Sequence, residues 1–450
     1  MVTAQALAEA AIDHHNRHSE SFDAYKCWDP DKLLQQARAV DAGRIAGMDT
    51  GPLQGLPVSV KDLFGVRGFP TYAGTPQPLP QKWMEEGPVI TTLRRQQALI
   101  TGKTHTVEFA FGGLGFNPHW ATPRNPWDVQ EHRVPGGSSS GAGVSLCAGS
   151  AVLALGTDTA GSVRIPASMT GTVGLKTSIG RWPMAGIVPL SPSLDSVGLL
   201  ARTVGDAAYA FFALDAALAP SKARCGGLEE MELSTVRLGI PDGLLWDECS
   251  PGVAEGVQAT LDELAARGAR LVPLALPEAD QVYPLFQKGG LAATELYRFL
   301  KNELPDWLQR LDRTIAQRMD EASTLPDCEY LERVKLFERL SASVAETLRA
   351  VDVVVSPTVA ITPPTLQEVE SPENYRRANL LSLRNTSIVN YLGLCALTLP
   401  VALDRAGMPV GLQLIARHSH EEHLLAVARA CERCLGAGRE RLGVPPCTGS

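Results

Sequence analysis

The sequence predicts an α/β protein, because segments with the periodicity of strands alternate with segments with the periodicity of helices along most of its 450 residues. Residues 236–276 read as a strand, a helix over 253–268 and a second strand, which is one βα unit of a layered sheet. Further along, two apolar strands predicted over 392–403 and 408–416 are separated by DRAG, a hairpin-like turn. These segments place the core of the molecule in a sheet with helices layered on it.

The first 50 residues are predicted to be mainly helical. Apolar side chains recur at helical spacing at Leu33, Leu34, Ala37 and Val40, with charged side chains between them. We therefore expect the helices of residues 1–50 to pack across the outside of the sheet.

The predicted core follows in residues 55–215. Residues 55–66 read as a strand and turn, Pro88 to Gln97 as a helix, and ALITGKT (98–104) as a strand with its exit turn. This alternation continues the α/β pattern.

Residues 276–348 form a long polar segment with a mostly helical pattern, which four prolines interrupt. We expect them to form a helical layer over the sheet, near the mouth of a substrate site. After them, VDVVVS (351–356) is a short apolar strand that ends before Pro357. The chain has no internal repeat and no linker long enough to separate two domains, so residues 1–450 are predicted to form one domain.

Composition excludes several classes of protein. With 44% hydrophobic and 20% charged residues the chain has an ordinary globular composition. Its net charge of −8, without runs of Lys and Arg, argues against direct binding of nucleic acid or an anionic membrane. Residues 1–20 lack the features of a signal peptide, and no apolar run is long enough for a membrane span, so we expect a cytoplasmic location.

The nine cysteines do not resemble a disulfide framework, because they are odd in number and scattered through a long chain. Cys431 and Cys434 form a CxxC pair inside a helical pattern, without a second pair or a histidine at ligand spacing. We therefore predict no metal site and no cofactor.

The most informative stretch runs from residue 135 to 166 and holds two serines in glycine-rich turns on either side of a short apolar segment. Ser138 lies in GGSSSG and Ser162 in GTDTAGSVRIP. In the second turn, Gly161 allows close approach of a substrate, and the N–H groups of residues 159–162 (Thr159, Ala160, Gly161 and Ser162) can converge on one point as an oxyanion hole. With Lys61, which follows the strand-like run 57–60, these serines predict a Ser-Ser-Lys hydrolase.

A serine hydroxyl needs a base to become a nucleophile, and here the base is predicted to be a lysine. Six of the histidines lie on the N-terminal helix or at a helix start near residue 420, where surface positions are expected. A lysine can act only when neutral, so the pKa of Lys61 must fall from about 10.4 to about 8, which burial beside a core strand provides. Asp62 would oppose this change, but adjacent strand residues point to opposite faces.

These motifs resemble the amidase signature family over most of the chain. The resemblance includes GLPVSVKDLFGVRG (55–68), GGSSSG (136–141), GTDTAGSVRIPA (156–167) and the closing MPVGLQLIARHSHEEHLLAVA (408–428). It implies a large mixed β-sheet covered by helices on both faces, and hydrolysis of amides or carbamates, including urethanes. TDTAGS also occurs in the allophanate-hydrolase branch, which points to urea-like substrates.

The resemblance also implies roles for individual residues. Lys61 corresponds to the general base, Ser138 to a bridging serine with a cis peptide bond, and Ser162 to the nucleophile that carries an acyl or carbamoyl group. No cofactor is implied, the partner is a small-molecule substrate, and a homodimer is common in the family.

Five further residues are candidates for substrate binding: Gly112, Gly113, Leu114, Ser139 and Arg164. The first three lie in FGGLGF (111–116), which by resemblance forms a wall of the acyl-side pocket. Ser139 can donate a hydrogen bond near the site. Arg164 either binds a substrate carboxylate or ties its loop to a carboxylate such as Asp158, and the second role is favoured.

Three alternatives compete with this interpretation. GGSSSG fits the GxSxG elbow of an α/β-hydrolase with Ser139 reactive, but the preceding residues are too polar for the buried strand that an elbow requires. Gly102-Lys103-Thr104 fails as a phosphate loop because residue 97 is Gln. The third alternative keeps the catalytic core but makes the chain the amidase component of a transamidation complex that acts on charged tRNA.

Overall fold

The computed structural model describes residues 2–221, 228 and 230–448. Its centre is an 11-stranded sheet with the strand order β1-β3-β2-β4-β6-β5-β10-β11-β9-β7-β8. The strands are β1 (Tyr25–Trp28), β2 (Pro57–Lys61), β3 (Leu99–Thr104), β4 (Leu153–Asp158), β5 (Val173–Lys176), β6 (Ser196–Ala201), β7 (Arg237–Pro241), β8 (Arg270–Leu274), β9 (Val353–Pro357), β10 (Cys395–Leu403) and β11 (Pro409–Ala416).

Fifteen α-helices are described around this sheet. They are α1 (Ala4–Phe22), α2 (Pro30–Ile45), α3 (Pro88–Arg95), α4 (Ser140–Cys147), α5 (Arg164–Thr170), α6 (Val204–Leu218), α7 (Val253–Ala266), α8 (Pro277–Gln287), α9 (Ala292–Glu303), α10 (Pro305–Leu308), α11 (Arg313–Ser323), α12 (Asp327–Thr347), α13 (Pro372–Tyr391), α14 (Glu421–Leu435) and α15 (Gly438–Leu442). Among the described residues, no helix combines the length and the apolar composition that a membrane crossing requires.

The sheet is mixed, as the sequence resemblance implied. β2 is parallel to both β3 and β4, and β7 is parallel to both β8 and β9. β10 is antiparallel to β5 and to β11, and a short turn joins β10 to β11, as the DRAG motif predicted. The α/β class predicted from the alternation is confirmed.

Helices cover both faces of the sheet, and the alternation of side chains along β4 shows how. Leu153 and Leu155 belong to a large apolar cluster with Phe211 of α6. Ala154, between them, belongs to a separate cluster with Leu146 of α4 and Ala167 of α5. Since successive strand residues point to opposite faces, α6 lies on one face and α4 with α5 on the other. Strands buried on both faces explain the continuously apolar runs in the sequence.

The N-terminal region differs from the prediction, because residues 1–50 contain a strand between two helices. Helix α1 ends where Asp23 adopts the left-handed conformation, and α2 begins at Pro30. Between them β1 pairs antiparallel with β3, with Tyr25 opposite Thr104. Its aromatic residues favour a strand, whereas the prediction extended the helical periodicity across it.

Two charged side chains are buried together where β2 ends beside β3. Lys103 Nζ lies 2.7 Å from Asp62 Oδ1, and both side chains are fully buried. Lys103 therefore serves the core of the sheet rather than a phosphate loop.

We expect Lys103→Met to lower the free energy of unfolding by about 3–5 kcal/mol, because it leaves the Asp62 carboxylate buried without its partner. The matched control is Lys82→Met, whose ion pair with Glu303 is half exposed and should cost less than about 1 kcal/mol. Urea unfolding measures both variants. Equal midpoints for the two would contradict a structural role for the buried pair.

Candidate active site

Lys61 is the last residue of β2, and its amine lies among hydroxyl groups. Lys61 Nζ is 2.7 Å from Ser138 Oγ and 2.9 Å from Thr157 Oγ1. β2 runs parallel to β4, so the carboxyl-terminal ends of both strands bring Lys61 and Thr157 to the same edge of their pairing. Sequence reasoning missed Thr157, although it stands in the GTDTAGS motif.

The surroundings of Lys61 favour a neutral amine. The side chain is fully buried, and burial lowers its pKa to about 7, against the opposing charges of Asp158 and Asp195. Asp62, the neighbour in sequence, is instead paired with Lys103. The expectation that Asp62 points away from the Lys61 amine therefore agrees with the structure.

Ser138 precedes helix α4 in a tight backbone arrangement. The Gly137–Ser138 peptide bond is cis. The Ser138 carbonyl accepts hydrogen bonds from the N–H groups of Val107 and Ser140, and the residue is fully buried. These contacts hold its hydroxyl against the Lys61 amine.

Ser162 lies in the loop between β4 and α5 and lines a cavity of about 200 Å³. Its carbonyl accepts a hydrogen bond of 3.2 Å from the Ser139 N–H, which ties the two serine loops together. In the described part of the chain, the Ser162 hydroxyl takes part in no hydrogen bond, so its link to Ser138 stays a prediction.

Packing requires a glycine at position 161, and its part in the close approach of a substrate stays a prediction. Its φ is +132°, and a Cβ at this position would lie 2.1 Å from Thr386 Oγ1 on α13. Thr386 Oγ1 itself donates to the Ala160 carbonyl. The loop is therefore pressed against α13 at the residue before Ser162.

The predicted oxyanion donors are reduced from four to three. The Gly161 N–H is already occupied, because it donates to Asp158 Oδ1 over 2.8 Å. The N–H groups of Thr159, Ala160 and Ser162 donate no hydrogen bond to any other described residue. These three amides are the ones left for a ligand.

Arg164 does not bind substrate in this arrangement, which corrects its place among the substrate-binding candidates. Its side chain is fully buried, and its Nε and Nη2 donate to the two carboxylate oxygens of Asp158 over 3.1 and 2.9 Å. Its remaining contacts are to Gln413, Asn390 and the Thr386 carbonyl. The alternative that Arg164 ties the loop to Asp158 matches these contacts.

The ion pair also keeps Asp158 charged. Burial alone would raise the pKa of Asp158, but the Arg164 guanidinium holds it well below its usual range. As a carboxylate, Asp158 accepts bonds from the N–H groups of Gly161 and Val163.

Of the other substrate-binding candidates, only Gly112 lines the cavity. The Gly113 N–H donates to Asn379 Oδ1 over 2.7 Å, and Leu114 is fully buried in an apolar cluster behind the cavity wall, which also contains Tyr375. Ser139 is fully buried at the start of α4, with no described strand leading into it. Ser139 therefore does not line the cavity, and the strand that an elbow nucleophile requires is not found before it in the described chain.

Side chains from four helices line the rest of the cavity. The sequence alone did not show which side chains of these helices face the cavity. Phe286 of α8, Ala292 of α9, Arg318 of α11 and Tyr375 of α13 all line it. Tyr375 also explains why residue 112 is a glycine, since a Cβ at this position would lie 2.7 Å from the Tyr375 hydroxyl oxygen. The helical periodicity of residues 276–348 predicted a helical layer, but it did not identify the side chains that line the cavity.

The CxxC pair lies in α14, where Cys431 is fully buried and burial raises its pKa to about 12. The eight cysteines within the described ranges have free thiols. Those ranges hold no group of three or more His, Cys, Asp or Glu side chains arranged to bind a metal ion.

Residues 6–425 match the family described as Amidase. The chain therefore belongs to the amidase family, whose enzymes hydrolyse C–N bonds. It is 49% identical over 448 residues to 2-amino-5-chloromuconic acid deaminase from Comamonas testosteroni, covering 99% of this chain and 95% of the relative. It is 30% identical to one component of the glutamyl-tRNA(Gln) amidotransferase from Chlorobium luteolum, over 96% of this chain and 94% of the relative. A solved structure described as amidase has a TM-score of 0.85, with 31% identity and 97% of each chain covered.

We expect Gly161→Ala to lower the free energy of unfolding by about 2–6 kcal/mol, because it combines backbone strain with a collision against Thr386. Gly407→Ala is the matched control, since Gly407 also has a positive φ, of +77°, but no atom within 4 Å of the added Cβ. Thermal unfolding compares the two variants. If both variants lost the same small amount of unfolding free energy, the contact with α13 would not be the reason why position 161 requires a glycine.

Proposed function

We propose that this chain hydrolyses the C–N bond of a small amide or carbamate through a covalent intermediate on Ser162, with Ser138 as the proton bridge and Lys61 as the general base. The observation that carries the proposal is the buried contact of 2.7 Å between Lys61 Nζ and Ser138 Oγ. A pKa of about 7 for Lys61 supports it, because a neutral amine has a lone pair that accepts a proton.

In the first step the proton moves along two hydroxyls. Neutral Lys61 accepts the proton of Ser138 while the Ser138 oxygen accepts the proton of Ser162. Ser162 Oγ then forms a bond to the carbonyl carbon, and the carbonyl oxygen becomes an oxyanion. The free N–H groups of Thr159, Ala160 and Ser162 stabilise that charge, and loss of one such donor typically costs about 3 kcal/mol.

The second step breaks the C–N bond. The proton held by Lys61 returns through Ser138 to the leaving nitrogen, which departs as a neutral amine or ammonia. Water then gives a proton to Lys61 by the same path and its oxygen attacks the acyl carbon. Ser162 recovers its proton as the acid leaves.

The substrate we propose is a small molecule. The relative from Comamonas testosteroni, at 49% identity, is named for removing an amino group from 2-amino-5-chloromuconic acid, and this supports a free small-molecule hydrolase. Urethanes and urea-like compounds stay within the proposal, because the same nucleophile and oxyanion donors process them.

The alternative role in a tRNA transamidation complex has weaker support, at 30% identity to a protein of that kind. The purified chain alone distinguishes the two: turnover of simple amides without a partner supports the hydrolase. Glutamine turnover that requires added partner proteins would favour the alternative.

We further propose that the chain forms a single domain, since all eleven described strands belong to one sheet. A homodimer and a cytoplasmic location complete the proposal. Sedimentation velocity measures the assembly state, and cell fractionation measures the location.

Ser162→Ala should abolish turnover and labelling by a fluorophosphonate, because the nucleophilic oxygen is gone. Peptide mass spectrometry should find the adduct of the unmodified protein on Ser162. Ser139→Ala is the control, and it should retain the labelling. An adduct on any other serine would refute the assignment of the nucleophile.

The pH profile of kcat/KM should report Lys61. Activity requires the neutral amine, so it should be lost as pH falls through about 7 and reach a plateau above that value. In Thr157→Val the ammonium form loses a hydrogen-bond acceptor, so the acid limb should move to lower pH and the plateau should fall about tenfold. Thr157→Ser should restore both. If the acid limb did not move in Thr157→Val, the loss of activity at low pH would not be caused by protonation of Lys61.

A further inference from the structure

Arg318 is a guanidinium that shares the cavity with Ser162. Its Nη1 donates to the Phe111 carbonyl over 2.6 Å, and its guanidinium carbon lies 3.7 Å from the centre of the Phe111 ring. These two contacts hold the group against one wall of the cavity. A guanidinium has five N–H donors, so most of its hydrogen-bonding capacity is left over.

No acidic side chain neutralises this charge among the side chains that the structure describes. Arg318 takes part in none of their ion pairs, although many other arginines of the chain do, Arg164 and Arg181 among them. Arg318 is partly buried, and a partly buried charge without an acidic partner among the described side chains is stabilised when a bound anion pairs with it.

The cavity lining is positive as a whole. Arg376 of α13 is a second cationic lining residue, and the described residues of the lining include no Asp or Glu. Burial, together with the nearby charge of Arg376, lowers the pKa of Arg318. The net charge of the chain is −8, so the positive potential belongs to this cavity and not to the surface in general.

We propose that Arg318 binds a carboxylate of the substrate, so that this enzyme acts on short amides that carry a free carboxylate at the far end of the acyl group. The planar fork of an arginine matches the two oxygens of a carboxylate, and such charge-assisted pairs are about twice as strong as neutral hydrogen bonds. Phe111 orients the fork. The inference deepens the proposed function, since it names the substrate class of the Ser162 site.

The small cavity sets the length of the substrate. With about 200 Å³ between Ser162 and the surrounding helices, it admits a small molecule. Substrates therefore have their amide at Ser162 and their carboxylate at Arg318, and acyl chains too short or too long to join the two sites are poor substrates.

The test compares monoamides of dicarboxylic acids, with two to four methylene groups, against the fatty-acid amides that replace the carboxylate by a methyl group. The unmodified enzyme should prefer the carboxylate member of one pair by at least about 100-fold in kcat/KM. Arg318→Gln should lower kcat/KM for that member about 100-fold, mainly through KM, and so reduce the preference to about one. Arg318→Lys should recover part of it.

Arg313→Gln is the matched control, because Arg313 lies on the same helix and outside the cavity lining. It should keep the full preference. If Arg318→Gln lowered the rates for both members of each pair equally, Arg318 would only support the wall through Phe111, and the proposal would be overturned.

Binding separates this proposal from the proposed catalytic roles. Calorimetry on Ser162→Ala should detect the monoamides that carry a carboxylate, and the further change Arg318→Gln should weaken that binding at least about tenfold. This result would support the carboxylate site even if labelling showed Ser162 not to be the nucleophile. Failure of the whole series to bind to Ser162→Ala would overturn it.

Discussion

The buried ion pair of Asp158 and Arg164 is the interaction on which the loop that carries Ser162 depends. Asp158 ends β4 and Arg164 begins α5, so the pair spans the loop that carries Ser162. The carboxylate also accepts the N–H groups of Gly161 and Val163, on either side of that serine. Because breaking a buried pair leaves a charge without compensation, an arrangement of the loop that separated Asp158 from Arg164 would cost about 3–5 kcal/mol.

Burial sets the chemistry of Lys61 as well as its position. At the end of a central strand the amine is hydrogen-bonded to two hydroxyl groups, and the acidic side chain next in sequence is bound to Lys103. An ion pair with Asp62 would have kept the ammonium form. By pairing that carboxylate elsewhere, the sheet favours a neutral amine near pH 7.

The cavity combines two parts of different origin. The loop after β4 supplies Ser162 and so the part of the cavity that we propose to be reactive. Helices that follow much later in the chain supply most of the walls, with Arg318 and Arg376 among them. The reactive part is fixed by backbone contacts and buried charges. The shape and charge of the cavity therefore depend on helices α8, α9, α11 and α13, whose side chains reach it only through tertiary packing.

The sequence by itself determined the α/β class, most strands and helices, and the local motifs with Lys61, Ser138 and Ser162, because these depend on periodicity and on residues close together in the chain. Only the tertiary structure decided that β1 interrupts the N-terminal helices, that the Gly161 N–H is occupied, and that Leu114 and Ser139 are buried away from the cavity. The role of Arg164 was settled by partners more than 200 residues away along the chain, among them Asn390 and Gln413. Such contacts leave no periodic signal in a sequence, since they depend on how distant segments pack against each other.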